Sequence, residues 1–297
     1  MSMTLDWLQQ NFNNFPAEIK SEKGRREFCL FSIVLCRVFG QEWCEQHIIN
    51  PNGADASGYL KLDFTDDIRR ELKSLRMAHL AEMVFNLHSI EGFDSCIAQM
   101  RNGEIESGFA ELEFGKLLYI NDIEFRFIDP RNRAKGEAYD YEVIFSDGVT
   151  ACADAKCKIE SHKATAKSIE NTLAKARKQL PKDRPGIIFV KVQSHWFTDP
   201  EIYSMLGDVT QAFLRNTQRI ISVKYFVNQF NYLDDAILHT HRYREISNPR
   251  NCFDPTRTWQ LFKPSDQQST WNGMPSKWVR LINFEPVEKT LSGARWG

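Results

Sequence analysis

The sequence has neither a long apolar run nor the pattern of a secretory leader. No stretch reaches the ~18 consecutive apolar residues that a membrane-spanning helix requires. The chain begins MSMTLDWLQQNFNNF, without the basic region and apolar core that make a signal peptide. We therefore expect a soluble, cytoplasmic protein that has no membrane partner.

The motifs of several common enzyme classes are also missing. There is no G-x-S-x-G elbow of a serine hydrolase, no G-x-x-x-x-G-K-[ST] phosphate loop and no G-x-G-x-x-G dinucleotide fingerprint. Cysteine occurs seven times, an odd number, and never as a C-x-x-C pair. This usage predicts reduced thiols in an intracellular protein rather than a disulfide framework or a zinc site.

The chain has almost no excess charge of either sign. Its formal net charge is −1, which argues against a globally basic surface for nucleic acid but leaves room for a local basic channel. One stretch, Lys158 to Arg184, holds eight lysines and arginines against three acidic residues. It could contact phosphates, or it could be only the solvated face of an amphipathic helix, which is the commoner origin of such a run.

The pattern of the chain changes near residue 103. Residues 1–103 are predicted to be mainly helical, with a compact apolar helix over Phe28–Phe39. No motif there indicates chemistry, so this region could recognise a substrate, form a dimer layer or support the rest of the chain. Residues 104–297 are predicted to form a second domain with an aromatic-rich C-terminal tail. The tail aromatics could stack on bases or on a partner, but we expect them to anchor the tail by burial: Trp259, Phe262, Trp271, Trp278 and Phe284.

Helices and strands alternate in the second domain. The predicted elements are a helix over 105–119, a strand over 123–128, a β-hairpin over 139–159, a helix over 162–180 capped by Ser161, a strand over 186–192, a helix over 202–216 and a strand over 220–226. This order predicts an α/β (α+β) fold, in which a mixed sheet is flanked by helices.

The hairpin is the feature around which this domain is organised. Tyr139–Phe145 is rich in aromatic and β-branched residues, Ser146–Gly148 has turn chemistry, and Val149–Ile159 alternates with a period of two. A three-residue loop places Asp140 opposite Asp154. We expect the odd-numbered residues of the second strand to face a core and the even-numbered residues to form a polar face.

Asp140 and Asp154 would then lie side by side on the polar face, with roughly 5 Å between their Cβ atoms. Lys156 follows two residues further along the same face. Adjacent carboxylates repel unless a cation lies between them, and Mg²⁺ or Mn²⁺ takes such hard oxygen ligands. A lysine beside that cation can hold a water molecule. The alternative is a solvated sheet face with an incidental ion pair.

The order of these elements resembles the PD-(D/E)xK nuclease superfamily, which has the fold of the restriction endonucleases. In that family an acid on one strand precedes a D/E-x-K triplet on the next strand. Here Asp140 matches the first acid and Asp154-Ala155-Lys156 matches the triplet, whereas Tyr139 stands where the family usually has proline. The resemblance covers roughly residues 104–250, and the short motif is specific only through its placement on helix, strand and hairpin.

A glutamate from the preceding helix often joins the family's metal site. Glu111 is the best match to that glutamate, and Glu113 is the alternative. The resemblance implies that Asp140, Asp154, the carbonyl of Ala155 and Glu111 hold the metal, and that Lys156 positions the attacking water. The residues expected to contact the nucleic-acid backbone are basic ones in two segments: Arg131, Arg133, Lys135, Lys158, Lys163 and Lys167.

The function implied is that of a metal-dependent nuclease, and our preferred interpretation is an endonuclease that cuts DNA. A homodimer is compatible with this interpretation. The alternative is a catalytically silent relative of the same fold that binds nucleic acid or a protein partner, because fold does not by itself imply function.

Overall fold

The structure, a computed structural model, describes residues 3–49, 59–60, 67–129, 138–158, 163–233, 236–254, 257, 259, 261–262 and 278–281. Within 67–72, 229–233 and 236–241 it describes the backbone alone. By their spatial contacts the residues form two compact units: unit 1 is Met1–Lys116 with Asn272–Gly297, and unit 2 is Leu117–Trp271. The predicted domain boundary at residue 103 lies where the sequence periodicity changes. The boundary between the two units lies instead between Lys116 and Leu117, within one helix.

Unit 1 is helical in its described part, as the periodicity predicts. Its helices are α1 (Leu5–Asn13), α2 (Ala17–Ser21), α3 (Lys23–Phe39), α4 (Gln41–Cys44) with a π-helical turn at Glu45–Ile49, α5 (Asp67–Leu87), α6 (Phe93–Arg101) and α7 (Ile105–Ile120), whose residues from Leu117 onward belong to unit 2.

Apolar residues at helical spacing explain why these segments are helices. In α3 the residues Leu30, Val34 and Leu35 are fully buried, and in α5 the residues Leu80, Val84 and Leu87 are too. The spacings are four and one residues in α3 and four and three in α5, which places each set on one side of its helix. The chain entering α1 is fixed by Thr4, whose side chain accepts a hydrogen bond from the backbone N–H of Trp7 at 3.1 Å.

Unit 2 is built on a six-stranded mixed sheet flanked by helices, so the predicted fold class is confirmed. Its strands lie in chain order across the sheet: β1 (Glu124–Phe127), β2 (Tyr141–Ile144), β3 (Thr150–Cys157), β4 (Gly186–Lys191), β5 (Ile220–Leu233) and β6 (Ala236–Ser247). The central strands β3, β4 and β5 are parallel, and the other neighbouring pairs are antiparallel.

Two long crossover helices connect the parallel strands. α8 (Ala166–Gln179) joins β3 to β4, and α10 (Pro200–Arg215), preceded by the short α9 (His195–Thr198), joins β4 to β5. Leu173 of α8 and Leu206 of α10 belong to one buried core together with Ile188 of β4. Both helices therefore cover the same face of the sheet.

This packing corrects the expectation that β3 has one polar, exposed face. Residues 151–155 are all buried, on both faces of the strand. Cys152 lies in the core under α8 and α10, and Asp154 is paired in register with the core residue Ile188 of β4. A central parallel strand is covered on both faces, and the hairpin pattern alone did not indicate that β3 has β4 on its other side.

Two element boundaries also differ from the prediction. Thr165, rather than Ser161, accepts the capping hydrogen bond of α8, from the backbone N–H of Ser168 at 3.1 Å. β5 extends to Leu233 and pairs with β6, a strand that the sequence pattern did not predict.

Among the described residues, no helix is long and apolar enough to cross a membrane. No disulfide links the seven cysteines, all of which are described.

Aromatic residues near the C-terminus are buried, as the predicted anchoring role requires. Within unit 2, Trp259 packs edge-on against Phe145 with ring centroids 5.4 Å apart, and Phe262 packs against Tyr243 at 5.2 Å. Trp278 is buried within unit 1. Trp271 and Phe284, the remaining predicted anchors, lie outside the described residues.

Candidate active site

The candidate site lies where the β2–β3 hairpin opens. The predicted register is confirmed, since Tyr141 lies opposite Ala153 and Glu142 opposite Cys152. At the turn, Gly148 adopts a φ of 82°, the left-handed conformation for which glycine is suited. At the open end, the last backbone bond runs from the N–H of Asp140 to the carbonyl of Ala153, at 2.9 Å.

Asp140 holds the two strands together just beyond this last bond. The N–H of Ala155 has no further strand residue opposite it, and it donates instead to Oδ2 of Asp140 at 2.7 Å. The Asp140 side chain thus replaces the missing strand residue and is fixed against β3. This contact places the carboxylate beside Asp154.

Asp154 and Lys156 form a close ion pair on β3. Nζ of Lys156 lies 2.6 Å from Oδ2 of Asp154 and also donates to the carbonyl oxygen of Ala155 at 3.2 Å. Asp154 is fully buried, whereas the Lys156 side chain is 17% exposed. The ammonium group is therefore the solvent-facing member of the pair.

Oδ1 of Asp154 is buried and, among the described residues, receives no hydrogen bond from an N–H or hydroxyl group. The polar neighbours of this carboxyl group are the Lys156 ammonium, at Oδ2, and the Asp140 carboxyl group. A buried carboxylate oxygen without a donor is costly, because nothing replaces the water it has lost. The observation therefore marks a position where a proton or a cation is required.

The pKa of Asp154 also indicates that a proton or a cation is required at this position. Burial raises the pKa of Asp154 well above its usual value, the neighbouring Asp140 carboxylate raises it further, and the Lys156 ammonium only partly offsets both. Two carboxyl groups this close cannot both be ionised at low energy without more positive charge than one lysine supplies.

A hard divalent cation fits this donor set. The carboxyl groups of Asp140 and Asp154 are neighbours, and the Lys156 ammonium contacts both Asp154 and the carbonyl of Ala155. Mg²⁺ typically binds one or two carboxylates and keeps several waters. Within the described part of the chain, no group of three or more His, Cys, Asp or Glu side chains is suited to hold a metal. The site thus provides two carboxylates and a carbonyl, and the remaining ligands would be water or substrate oxygens.

Glu111, the predicted helical ligand, lies on α7 and is 4% exposed, and Glu113 is 1% exposed. Both residues belong to unit 1, whereas Asp140, Asp154 and Lys156 belong to unit 2. The role of Glu111 at this site therefore stays a prediction.

The predicted phosphate-contacting residues have different environments. Arg131, Arg133 and Lys135 lie outside the described residues. Lys163 and Lys167 are exposed. Lys158 is half-buried, and its Nζ donates to the hydroxyl and carbonyl oxygens of Ser168 at 3.1 and 3.2 Å. Lys158 therefore holds the first turn of α8 against the end of β3, which is a structural role.

Two arginines close to the site were missed by the sequence analysis. Glu142, two residues after Asp140, is bound by Arg126 of β1 and by Arg184 from the loop before β4, the latter at 2.5 Å. Arg184 also donates to the hydroxyls of Tyr139 and Thr150 at 3.2 and 3.1 Å. Burial raises the pKa of Glu142, but these guanidinium groups outweigh it and hold the pKa below its usual value.

The sequence could not indicate these partners, because they depend on long-range pairing. Arg126 lies opposite Glu142 in the β1–β2 register, and thirteen residues separate the two strands, too many for the sequence to set their register. Arg184 reaches Glu142 only because β4 pairs with the other edge of β3.

In comparisons with protein-family models, curated proteins and solved structures, no match to the chain was found. The resemblance to the PD-(D/E)xK superfamily therefore rests on the motif residues and on the elements that carry them.

Proposed function

We propose that unit 2 is a metal-dependent nuclease of the PD-(D/E)xK type that hydrolyses phosphodiester bonds, with DNA as its substrate. The observation that carries the proposal is the buried Oδ1 of Asp154, which lacks a hydrogen-bond donor beside a second carboxylate and a lysine. Buried polar atoms seldom lack a partner, and beside a second acid the partner that this oxygen favours is a cation.

The order of the surrounding elements is the second support. A helix, a strand, a hairpin with the acid and the D-x-K triplet on its two strands, a crossover helix and a parallel strand follow one another in this chain. This is the arrangement that the superfamily resemblance implies for a working site.

The chain's own residues would have distinct roles. Asp140 and Asp154 would hold Mg²⁺ or Mn²⁺ together with the Ala155 carbonyl and, by the resemblance, Glu111. The bound cation would lower the pKa of a water molecule and neutralise charge on the phosphate oxygens. Lys156, held beside Asp154 and partly exposed to solvent, would orient the attacking water and stabilise negative charge as it develops.

The test is cleavage of plasmid, linear and single-stranded DNA with Mg²⁺ or Mn²⁺ by the wild type, Asp154→Ala, Lys156→Ala and Asp147→Asn. Asp147 lies in the turn of the same hairpin and pairs with Arg257, so its variant is a control in which an acid is changed away from the site. We expect at least about 100-fold loss of cleavage in the first two variants and full activity in the third.

Cleavage that survives both substitutions in β3 would contradict the assignment. No cleavage by the wild type, with DNA retained in a gel shift, would favour the second candidate, a silent nucleic-acid-binding relative. That candidate is favoured by one observation, the absence of a third acidic or histidine ligand beside Asp140 and Asp154 among the described residues.

A further inference from the structure

A short C-terminal segment, Trp278–Leu281, lies against helix α5 within unit 1. Trp278 is 3% exposed and Leu281 is fully buried. The helix contacts this segment through Glu82 and Asn86, which are four residues apart and therefore share one face of α5. Both side chains reach the main chain of the segment, which lies almost 200 positions away in the sequence.

Asn86 binds one residue of the segment through both of its backbone groups. Its Nδ2 donates to the carbonyl of Val279 at 3.0 Å, and its Oδ1 accepts from the N–H of Val279 at 2.7 Å. A residue in a neighbouring β-strand would exchange the same two bonds. Nδ2 of Asn86 also donates to the carbonyl of Glu82 at 2.7 Å, which fixes the orientation of the amide. Asn86 therefore recognises an extended backbone, whatever the side chain of that residue.

Glu82 recognises the residues on either side of Val279. Its Oε1 accepts from the N–H of Leu281 at 2.9 Å and lies 3.4 Å from Nε of Arg280. Its Oε2 accepts from the indole N–H of Trp278 at 3.5 Å. One carboxylate thus binds an aromatic donor, a guanidinium group and a backbone N–H, and this combination selects for tryptophan and arginine at those positions.

Lys116 completes the surroundings of Trp278. Its Nζ lies 5.0 Å from the centroid of the indole ring, a cation–π distance, and 3.0 Å from Nε2 of His79. Burial lowers the pKa of Lys116 to about 8, although Glu82 partly opposes this. The ring therefore fills a polar recess rather than an apolar one.

We propose that α5 of unit 1 carries a peptide-binding site that selects an extended Trp-x-Arg-Leu segment, occupied by residues 278–281 of the same chain and able to take this segment from a second copy. The polar side chains carry the inference. Glu82 and Asn86 can be hydrated when the segment leaves, so these polar groups tolerate an empty site. Release exposes Trp278 and Leu281, which are buried here, and their burial favours rebinding to the same chain or to another. The segment of a second copy presents the same donors and acceptors, so it can form the same hydrogen bonds with Glu82 and Asn86.

The test uses a labelled peptide of residues 274–285, MPSKWVRLINFE, and fluorescence anisotropy. The binding partner is the full chain carrying Trp278→Ala and Leu281→Ala, which disables its own segment. We expect this variant to bind the peptide at least about tenfold more tightly than the wild type, because a tethered segment competes at an effective concentration near millimolar. A peptide with Ala for Trp and Glu for Arg should not bind.

Substitutions in the site locate the binding. In the same background, Asn86→Ala and Glu82→Gln should each weaken peptide affinity about tenfold or more. Asn11→Ala is the matched control, because Asn11 of α1 also donates its side-chain amide to a carbonyl one turn earlier, that of Trp7 at 2.8 Å. It should leave the affinity unchanged. Absence of peptide binding to the folded double variant, or equal affinity for the wild type, would overturn the proposal.

A second measurement decides the matter if the double variant fails to fold. In the otherwise wild-type chain, the Val279 amide should exchange its hydrogen slowly, and Asn86→Ala should accelerate this exchange at least about tenfold. An excess of the unlabelled peptide, which displaces the segment, should accelerate the exchange at Val279 as well. An unchanged exchange rate at Val279 would overturn the proposal. Neither experiment depends on nuclease activity, so its outcome is separate from that of the cleavage assay.

Discussion

Asp154 is the residue on which the electrostatics of the candidate site depend. Its carboxyl group is buried beside Asp140 and contacts a single ammonium group, that of Lys156. The folded chain therefore holds a proton on this acid more strongly than the unfolded chain does. The proposed metal would compete for the same side chain, so the stability of the chain and metal binding would be linked there.

The raised pKa of Asp154 has a definite sign for stability. Between the usual pKa of 3.8 and the raised value, the folded chain retains a proton that the unfolded chain has released. Stability therefore falls as the pH rises through this window. Asp154→Asn keeps the shape and removes the charge, so we expect a higher midpoint of thermal unfolding than wild type at about pH 7.5 in EDTA. The difference should shrink toward about pH 4.

Metal should reverse the order of these two proteins. At free Mn²⁺ about 100-fold above its Kd, the wild type would gain roughly 2.7 kcal/mol of unfolding free energy. The Asp154→Asn variant should gain little, and Asp147→Asn should respond as the wild type does. Equal stabilisation of all three proteins by Mn²⁺ would place the metal elsewhere. This thermal measurement requires no substrate.

At the scale of elements, the crossover helix α8 connects the site to the rest of the sheet. It is the next helix or strand after β3 in the chain and packs Ile169, Leu173 and Ala176 onto the core shared with β4 and β5. Its first turn is held by the Thr165 cap and by the hydrogen bonds from Lys158 to Ser168. The position of this turn determines where the exposed lysines of α8 lie relative to the end of β3.

Removal of the α8 cap should cost measurable stability. Thr165→Ala leaves the N–H of Ser168 without its acceptor, and we expect a loss of about 1 kcal/mol in the free energy of unfolding. Thr165→Ser keeps the hydroxyl and should remain within about 0.5 kcal/mol of the wild type. Urea unfolding of the three proteins measures both values. A Thr165→Ala variant as stable as the wild type would contradict the assigned cap.

At the scale of the whole molecule, charge must be local if the chain binds nucleic acid. The net charge of −1 provides no general attraction for phosphates. Lys163 lies just before α8 and Lys167 lies in its first turn, and both side chains are exposed. They are the exposed members of the predicted basic set among the described residues, although Nζ of Lys167 also lies 3.7 Å from Oε2 of Glu170 in an exposed ion pair. Lys158 is half-buried and donates to Ser168.

The salt dependence of DNA binding tests this local charge. In an Asp154→Ala background, Lys163→Gln with Lys167→Gln should lower the slope of log affinity against log salt by up to about 2, since each phosphate contact contributes roughly 0.9. Lys23→Gln, which removes a lysine of unit 1 whose side chain is 72% exposed, is the control and should leave the slope unchanged. The same slope in all three proteins would show that α8 does not contact the nucleic acid.

Local sequence patterns were sufficient to predict much of the secondary structure and the central residues of the candidate site. The period-two alternation and the Ser-Asp-Gly turn were sufficient to predict the hairpin and its register, because both depend on residues close in sequence. The helical spacing of apolar residues likewise predicted α3, α7 and α8, with differences confined to the ends of these helices. Asp140, Asp154 and Lys156 could be grouped for the same reason, since the hairpin brings them together.

Only the tertiary structure decided what surrounds these residues. Asp154 is buried because β3 pairs in parallel with β4 under α8 and α10, and no local period reports which strand becomes central. Arg126 and Arg184 reach Glu142 across strand pairs whose register no short turn sets. The hydrogen bonds of Glu82 and Asn86 with Trp278–Leu281 join positions almost 200 residues apart. Such bonds form only when the whole chain has packed. The tertiary structure therefore determines the partners of each of these side chains and, through them, its pKa.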